Sequence, residues 1–246
     1  MSKLYPDWQL YERLIAKLML QQLSTSYCVT PNANIVGSIS GIKRQIDVLI
    51  DYRFDTENRN RIIIDAKKRT RKIDIKDVET FKGLMEDVDA AHGYLVSTIG
   101  YTKAAIKRAQ ELISLKIVPI EHLDSFDLTD WPKCKKSSCS DGHIFWDGFP
   151  CFDLELVTNK KRSTVPRLHY VGKCEKCNSF HVKCMECNET LPIPEDDEED
   201  IGHQCSCRPS WAWLASIEED GHGKKSAELH CIFSYENIIT VSRRSL

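Results

Sequence analysis

The chain has 246 residues, of which 41% are hydrophobic and 28% charged, and its net charge is −2 at pH 7. These values are ordinary for a globular protein and exclude a disordered or strongly basic one. No apolar run approaches the roughly 20 residues of a membrane span, and the opening MSKLYPDWQLYERLIAKL carries charges and Trp8 where a signal peptide needs an apolar centre. A cytoplasmic protein with no membrane partner is expected.

The two halves differ. Residues 1–125 hold 19 Lys+Arg against 16 Asp+Glu, and residues 126–246 hold 15 against 20. Cys28 lies in the first half; the other ten of the eleven cysteines lie beyond residue 130. Two domains are therefore expected, 1–125 and 126–246.

Leu10, Leu14, Ile15, Leu18 and Met19 recur at helical spacing, which predicts an amphipathic helix over residues 7–23 capped by Asp7, with Glu12 on its flank. SYCVTPNANIVGSISG reads as a short irregular stretch with strand content, ending at Gly41. The stretch Ile42–Arg69, IKRQIDVLIDYRFDTENRNRIIIDAKKR, reads as two apolar strands joined by a polar turn. Asp47 lies inside the first, and Asp65 and Lys67 close the second on one face, since side chains alternate along a strand. Carboxylates inside such apolar runs cost free energy unless they are paired or bound to metal. Two carboxylates and an ammonium at one strand end suit a Mg²⁺ and phosphate site.

Beyond Arg71 the period becomes helical. A helix is expected from Lys76 to Val88 with Asp74 as its cap, then a strand His92–Thr98. A helix Tyr101–Leu115 should follow, with Ala104, Ala105, Ala109 and Leu112 inward, and a strand Ile117–Ile120. Helices alternating with strands imply a parallel crossover, so the class is α/β with a mixed sheet. Further on, SFDLTDWP reads as a linker, HIFWDGFPCFDLELV as two strands hinged at Asp147-Gly148, and LHYVGK as a strand. EDDEED (195–200) reads as a solvated loop, and AELHCIFSYENIITVS is β-rich.

Glu12 on a helix, Gly41…Gln45-Ile46-Asp47-Val48, Ile64-Asp65-Ala66-Lys67, a helix, and GYLVST-x-GYTKAA stand in an order that resembles the PD-(D/E)XK restriction-endonuclease-like superfamily, closest to its Mrr-like (type IV restriction endonuclease) group, over about residues 8–120. No proline precedes Asp47, and Asp65 stands where Glu or Gln is commoner. The resemblance implies a mixed sheet flanked by helices. It also implies a Mg²⁺ cofactor held by Asp47, Asp65 and the Ala66 carbonyl, with Lys67 acting on the attacking water and Glu12 helping to position the metal. Glu79 is an outer candidate. Lys68, Arg69, Arg71 and Lys72, with Lys43, Arg44 and Lys103, would lie along a DNA backbone.

In the second half, Cys174-x2-Cys177, Cys184-x2-Cys187, Cys205-x-Cys207 and Cys134-x4-Cys139 have the paired spacing of structural zinc sites. Cys184/Cys187 with Cys205/Cys207, and Cys134/Cys139 with Cys174/Cys177, give two four-thiol sets; one set from Cys174, Cys177, Cys184 and Cys187 is the rival pairing. Cys28, Cys151 and Cys231 remain as buried thiols. The region is expected to be a β-rich, zinc-ribbon-like domain that recognises the target or docks a protein partner. Trp211, Trp213, Arg208, Lys173, Lys160, Lys161 and Arg162 either touch nucleic acid or, for the tryptophans, fill a small core. The function expected is a Mg²⁺-dependent DNA endonuclease acting in restriction, with a homodimer favoured if both strands are cut. The alternatives are a repair or processing nuclease for structured DNA, and a non-catalytic nucleic-acid-binding protein with the same fold.

Overall fold

The computed structural model describes residues 6–53, 60–109, 113–119, 126, 131–148, 151–158, 161–195, 202–221, 223 and 225–246, with the backbone alone at 151–158 and 161–168. The chain divides into two compact units, Met1–Leu23 with Cys28–Asp130, and Trp131–Leu246 with Ser24–Tyr27.

The first unit is a mixed α/β layer structure. Its elements are α1 (Asp7–Gln22), β1 (Tyr27–Val36), β2 (Lys43–Tyr52), β3 (Ile62–Lys67), α2 (Ile75–Asp87), β4 (His92–Ser97), α3 (Lys103–Ala109) and β5 (Ile113–Ile117). The strands form one sheet in the order β1-β2-β3-β4-β5. β2 and β3 run antiparallel, whereas β3, β4 and β5 are parallel, joined by crossovers that contain α2 and α3. The core carries Ile35, Ile46, Ile63, Phe81, Met85, Leu95, Ala105 and Ile113. Burying aliphatic and aromatic groups of this kind is the main favourable term in folding.

Several expectations shift. α1 is capped by Pro6 without a side-chain hydrogen bond; Asp7 is its first residue and pairs with Lys68 at 2.7 Å. The stretch after α1 is not irregular but a ten-residue strand, in which Asn32 takes a left-handed φ of 50°. Proline and asparagine within it hid the strand, because both are poor strand formers. α3 ends by Ala109, and the last strand is Ile113–Ile117 rather than Ile117–Ile120; Ala104 is exposed while Ala105 and Ala109 are buried, and Leu112 lies outside the described residues. α2 is capped by Asp74, which accepts from the Lys76 and Asp77 amides while Asp77 accepts from Asp74. This is a full capping box.

Asp87, at the end of α2, holds the turn between β1 and β2. Its carboxylate accepts from the Ser40 amide and hydroxyl, both at 2.8 Å, and from Arg44 at 2.5 Å. Gly37 permits the approach, since a Cβ there would lie 2.4 Å from Asp87 Oδ2.

The second unit is β-rich. β6 (Ile144–Trp146), β7 (Cys151–Thr158), β8 (Lys161–Cys174), β9 (Phe180–Cys184) and β10 (Thr190–Ile193) make one sheet, and β11 (Ala212–Glu219), β12 (Lys225–Ser234) and β13 (Asn237–Ser245) make another. The segments on either side of Asp147-Gly148 do not form a hairpin with each other; β6 and β7 each pair with β8, which is one long strand running through Pro166. Val171, Phe180, Val182 and Ile193 pack with Trp211, Trp213, Leu229, Cys231 and Val241. Residues 196–200 of the acidic stretch and most of the linker before Trp131 lie outside the described residues.

The Ser40 and Arg44 contacts hold the Asp87 carboxyl down to about 2, the Ser40 amide contributing most. Its stabilising contribution is therefore complete above the ordinary aspartate value near about 4 and is lost as pH falls through about 2. Asp87→Asn is expected to lower stability at pH 6 and to flatten the loss between pH 4 and 2, measured by urea unfolding across that range. An unchanged pH slope would show that this anchor contributes nothing.

Candidate active site

The β2–β3 ladder pairs Ile50 with Ile62, Leu49 with Ile63 and Val48 with Ile64, and goes no further. One step on along the same register, Asp47 stands opposite Asp65. Beyond the end of the ladder, Asp47 Oδ2 accepts the Ala66 amide at 2.8 Å, so the side chain supplies the acceptor for that backbone donor. Lys67 Nζ reaches Asp65 Oδ1 at 2.6 Å on the face they share.

The electrostatics of these groups are strained. Burial above all, and then the Asp65 charge, push the Asp47 carboxyl up to about 7; the Ala66 amide and Lys67 act in the opposite sense. Burial likewise pushes Glu12 on α1 up to about 8, with further contributions from Asp47 and Asp65 against Arg13 and Lys67. A protein places carboxyls together in this way at a cost, which a bound cation removes. Hard carboxylate oxygens at a half-buried strand end fit Mg²⁺. Among the described residues, however, no three acidic groups here bring ligand oxygens within 4.8 Å of one another; the sets that do so are thiols. Glu12 is coupled to Asp47 and Asp65 by charge without joining them in such a set.

The basic run after Lys67 is largely tied to acidic groups of the same unit. Lys68 pairs with Asp7, Arg69 with Asp77 at 2.6 Å, and Arg71 with Asp74 and Asp77 at 3.1 Å. Arg44 is held by Asp87. Among the described residues, Lys43 and Lys72 are exposed and form no ion pair. Glu79 pairs with Arg108 on α3, in an exposed position. The Tyr101 hydroxyl shares its one hydrogen between the Leu95 and Lys116 carbonyls, and His92 meets Ser114 at 2.9 Å, so both brace β4 and β5.

The second unit carries two thiol sets. Cys134, Cys139, Cys174 and Cys177 gather their sulfurs within 4.8 Å, as do Cys184, Cys187, Cys205 and Cys207. Either set can hold a metal ion. The rival set drawn from Cys174, Cys177, Cys184 and Cys187 is not assembled. The turns repeat one device: Asn178 and Asn188, both at positive φ, return their amides to the Cys174 and Cys184 carbonyls at 2.8 and 3.0 Å, and Arg208 does the same to Cys205 at 2.9 Å. A left-handed residue closes each knuckle and lets the thiols converge. Gly142 is required by close approach, since a Cβ there would lie 2.3 Å from Cys174 Sγ. Burial pushes the Cys134 thiol up to about 11, whereas the hydrogen bond from Cys174 holds Cys177 low, at about 4. Four crowded thiols cannot all ionise without a cation.

Trp211 and Trp213 are 3% and 2% exposed and belong to the core. Lys173 is buried against Asp147 at 3.8 Å and the Arg243 carbonyl at 3.0 Å. The side chains of Lys160, Lys161 and Arg162 lie outside the described residues. Cys28 and Cys231 are buried in neither set; the side chain of Cys151 lies outside the described residues. Sequence reading missed the contact between Gln45 on β2 and Asn32 on β1, 2.8 Å from Nε2 to Oδ1. The available signal was that Gln45 precedes Asp47 by two residues.

A five-stranded mixed sheet with helices, carrying two acids and a lysine where its central ladder ends, defines a restriction-endonuclease-like nuclease domain. Residues 6–126, about half of the chain, match the model of the Mrr catalytic-domain family, described as "Restriction endonuclease", and this domain belongs to that family. A nuclease domain of this kind implies a DNA substrate. No curated protein matches the chain. Among solved structures the chain is similar to the crystal structure of a protein of unknown function, AF1548, with 18% identity over 51% of this chain and 73% of that one and a TM-score of 0.38. Among the described residues no helix is long and apolar enough to cross a membrane.

Because the two thiol sets are separate, loss of one thiol should cost one ion. Cys174→Ser is expected to lower the metal content of purified protein by about one ion per chain while the other set stays loaded. Cys28→Ala, outside both sets, should retain the full content. Elemental analysis of both variants decides the matter, and an unchanged content in Cys174→Ser would exclude that set as a metal site.

Proposed function

We propose that the protein is a Mg²⁺-dependent DNA endonuclease that hydrolyses phosphodiester bonds in restriction of foreign or modified DNA. The observation that supports this most is the crowding of Asp47 against Asp65, with Lys67 beside them, at the open end of the β2–β3 ladder. Asp47, Asp65 and the Ala66 carbonyl are the groups that would hold the cation, and Glu12 would act on it through water. Bound Mg²⁺ would lower the pKa of a water and offset charge on the scissile phosphate.

The chain's own groups supply the rest. The Ala66 amide fixes one oxygen of Asp47, and the other would be available to the cation. Lys67, oriented by Asp65, would align the attacking water and stabilise the negative charge that develops on the phosphate oxygens. Lys43 and Lys72 are the best placed cations for backbone contacts. Arg44, Lys68, Arg69 and Arg71 would reach DNA only by sharing their present carboxylate partners. The proposed division is a nuclease domain over 1–125 and a Cys-rich domain over 126–246. Zinc in the two thiol sets would have a structural role, because four thiolates leave no position open to substrate. The second domain would recognise the target or dock a partner, and a homodimer would supply the second centre needed to cut both strands.

The test is cleavage of plasmid and phage DNA, methylated and unmethylated, with Mg²⁺ or EDTA. Metal-dependent cutting is expected, and Asp47→Ala or Lys67→Ala should reduce it by about 10²–10⁴-fold while far-ultraviolet circular dichroism stays unchanged. Equal cutting by the wild type and both variants would remove these residues from the mechanism. Protein purified without chelator should contain about two zinc ions per chain, the number set by the two thiol sets. Fewer than one would defeat the zinc assignment.

A further inference from the structure

The face of β2 that carries Asp47 also carries Lys43 and Gln45, since the buried Ile46, Val48 and Ile50 alternate with them. Gln45 is exposed. Carried on from the Val48↔Ile64 pair, the register sets Gln45 level with Lys67, across the gap left where the ladder stops. Its carboxamide does not hang free in that gap. Nε2 donates to Asn32 Oδ1 at 2.8 Å. Asn32 presents that oxygen from a backbone φ of 50° inside a strand, a conformation that costs free energy at a non-glycine residue and is typical of a bulge that re-aims a side chain.

A carboxamide has two N–H donors and one carbonyl acceptor. With one N–H used by Asn32, Gln45 keeps one donor and one acceptor, and among the described residues neither has a protein partner. A phosphate oxygen only accepts, so a position devoted to phosphate is better filled by Lys or Arg, as Lys43 and Lys67 fill theirs. A fixed donor beside a fixed acceptor matches a base edge, and the pair that a Gln side chain matches best is N7 and the N6 amine of adenine.

We propose that Gln45 is a specificity-determining residue that reads the edge of a base flanking the scissile phosphate, with adenine preferred, and that Asn32 is the residue that positions it. This rests on the DNA-cutting role proposed above. In the complex, the Gln45 Oε1 accepts from the base amine and its second N–H donates to the ring nitrogen. Asn32 removes the rotational freedom that would otherwise blur the choice.

The experiment is sequencing of the ends produced when the full-length protein, with Mg²⁺, cuts a mixed-sequence DNA library. The wild type should cut beside adenine about tenfold more often than beside other bases, the order expected for one bidentate contact. Gln45→Ala should still cut but lose that preference, and Asn32→Gly, which tolerates the positive φ, should weaken it while leaving the overall rate within about threefold. An equal base distribution for the wild type overturns the proposal. So does a Gln45→Ala variant that slows cutting uniformly with its preference intact, which would mark a phosphate contact. Absence of any cutting by the wild type would instead count against the nuclease reading itself, and a lowered melting temperature in Gln45→Ala with unchanged preference would assign the residue to structure alone and overturn the proposal.

Discussion

The N-terminal unit depends on a conflict at one point of its sheet. β2 and β3 are apolar strands that pair well as far as Val48 and Ile64, and there the ladder stops. Two aspartates occupy the next position. Continued pairing would bring two carboxylates together with no counter-charge between them. The structure resolves part of the conflict by giving the Ala66 amide to Asp47 and the Lys67 ammonium to Asp65. The remainder is held as a raised Asp47 pKa. The surrounding fold, with α2 and α3 behind the sheet and Asp87 locking the β1–β2 turn, keeps the two strands from relaxing apart.

The second unit meets the same kind of problem with different atoms. Its thiol sets are built on short turns between cysteines. Each knuckle takes a left-handed residue, Asn178, Asn188 or Arg208, to turn the chain within a few residues. The thiols are thereby brought close enough that protons must bridge them unless a metal does. Glu189 adds a brace on the second set by accepting the Ser206 amide at 2.6 Å. A metal held by these sets would couple its binding to the folding of this unit.

Much of this was legible in the sequence where the signal is local. Asp74 could be read as a helix cap because Asp77 follows at the capping-box distance. The two thiol sets could be read from paired spacing, since a knuckle is closed within four residues. The acid, acid and lysine could be read because charged residues interrupt otherwise apolar strands. What could not be read depends on partners distant in sequence. Arg44 looks like a DNA contact until Asp87, 43 residues on, is seen to hold it. The run Lys68–Arg71 looks like an open cationic loop until the start of α2 folds back onto it. β1 was obscured by its own composition, because the asparagine that bends it also discourages a strand assignment. The Asn32–Gln45 contact is a pairing between neighbouring strands, which no single-strand pattern reveals.

The central claim is that the two aspartates at the end of the β2–β3 ladder form one cation site. Anomalous diffraction from crystals grown with Mn²⁺ in place of Mg²⁺ tests it most directly. The account predicts a peak between the carboxylates of Asp47 and Asp65, with Lys67 Nζ drawn away from Asp65. A peak elsewhere in the unit, or no peak at a concentration that supports cutting, would contradict it.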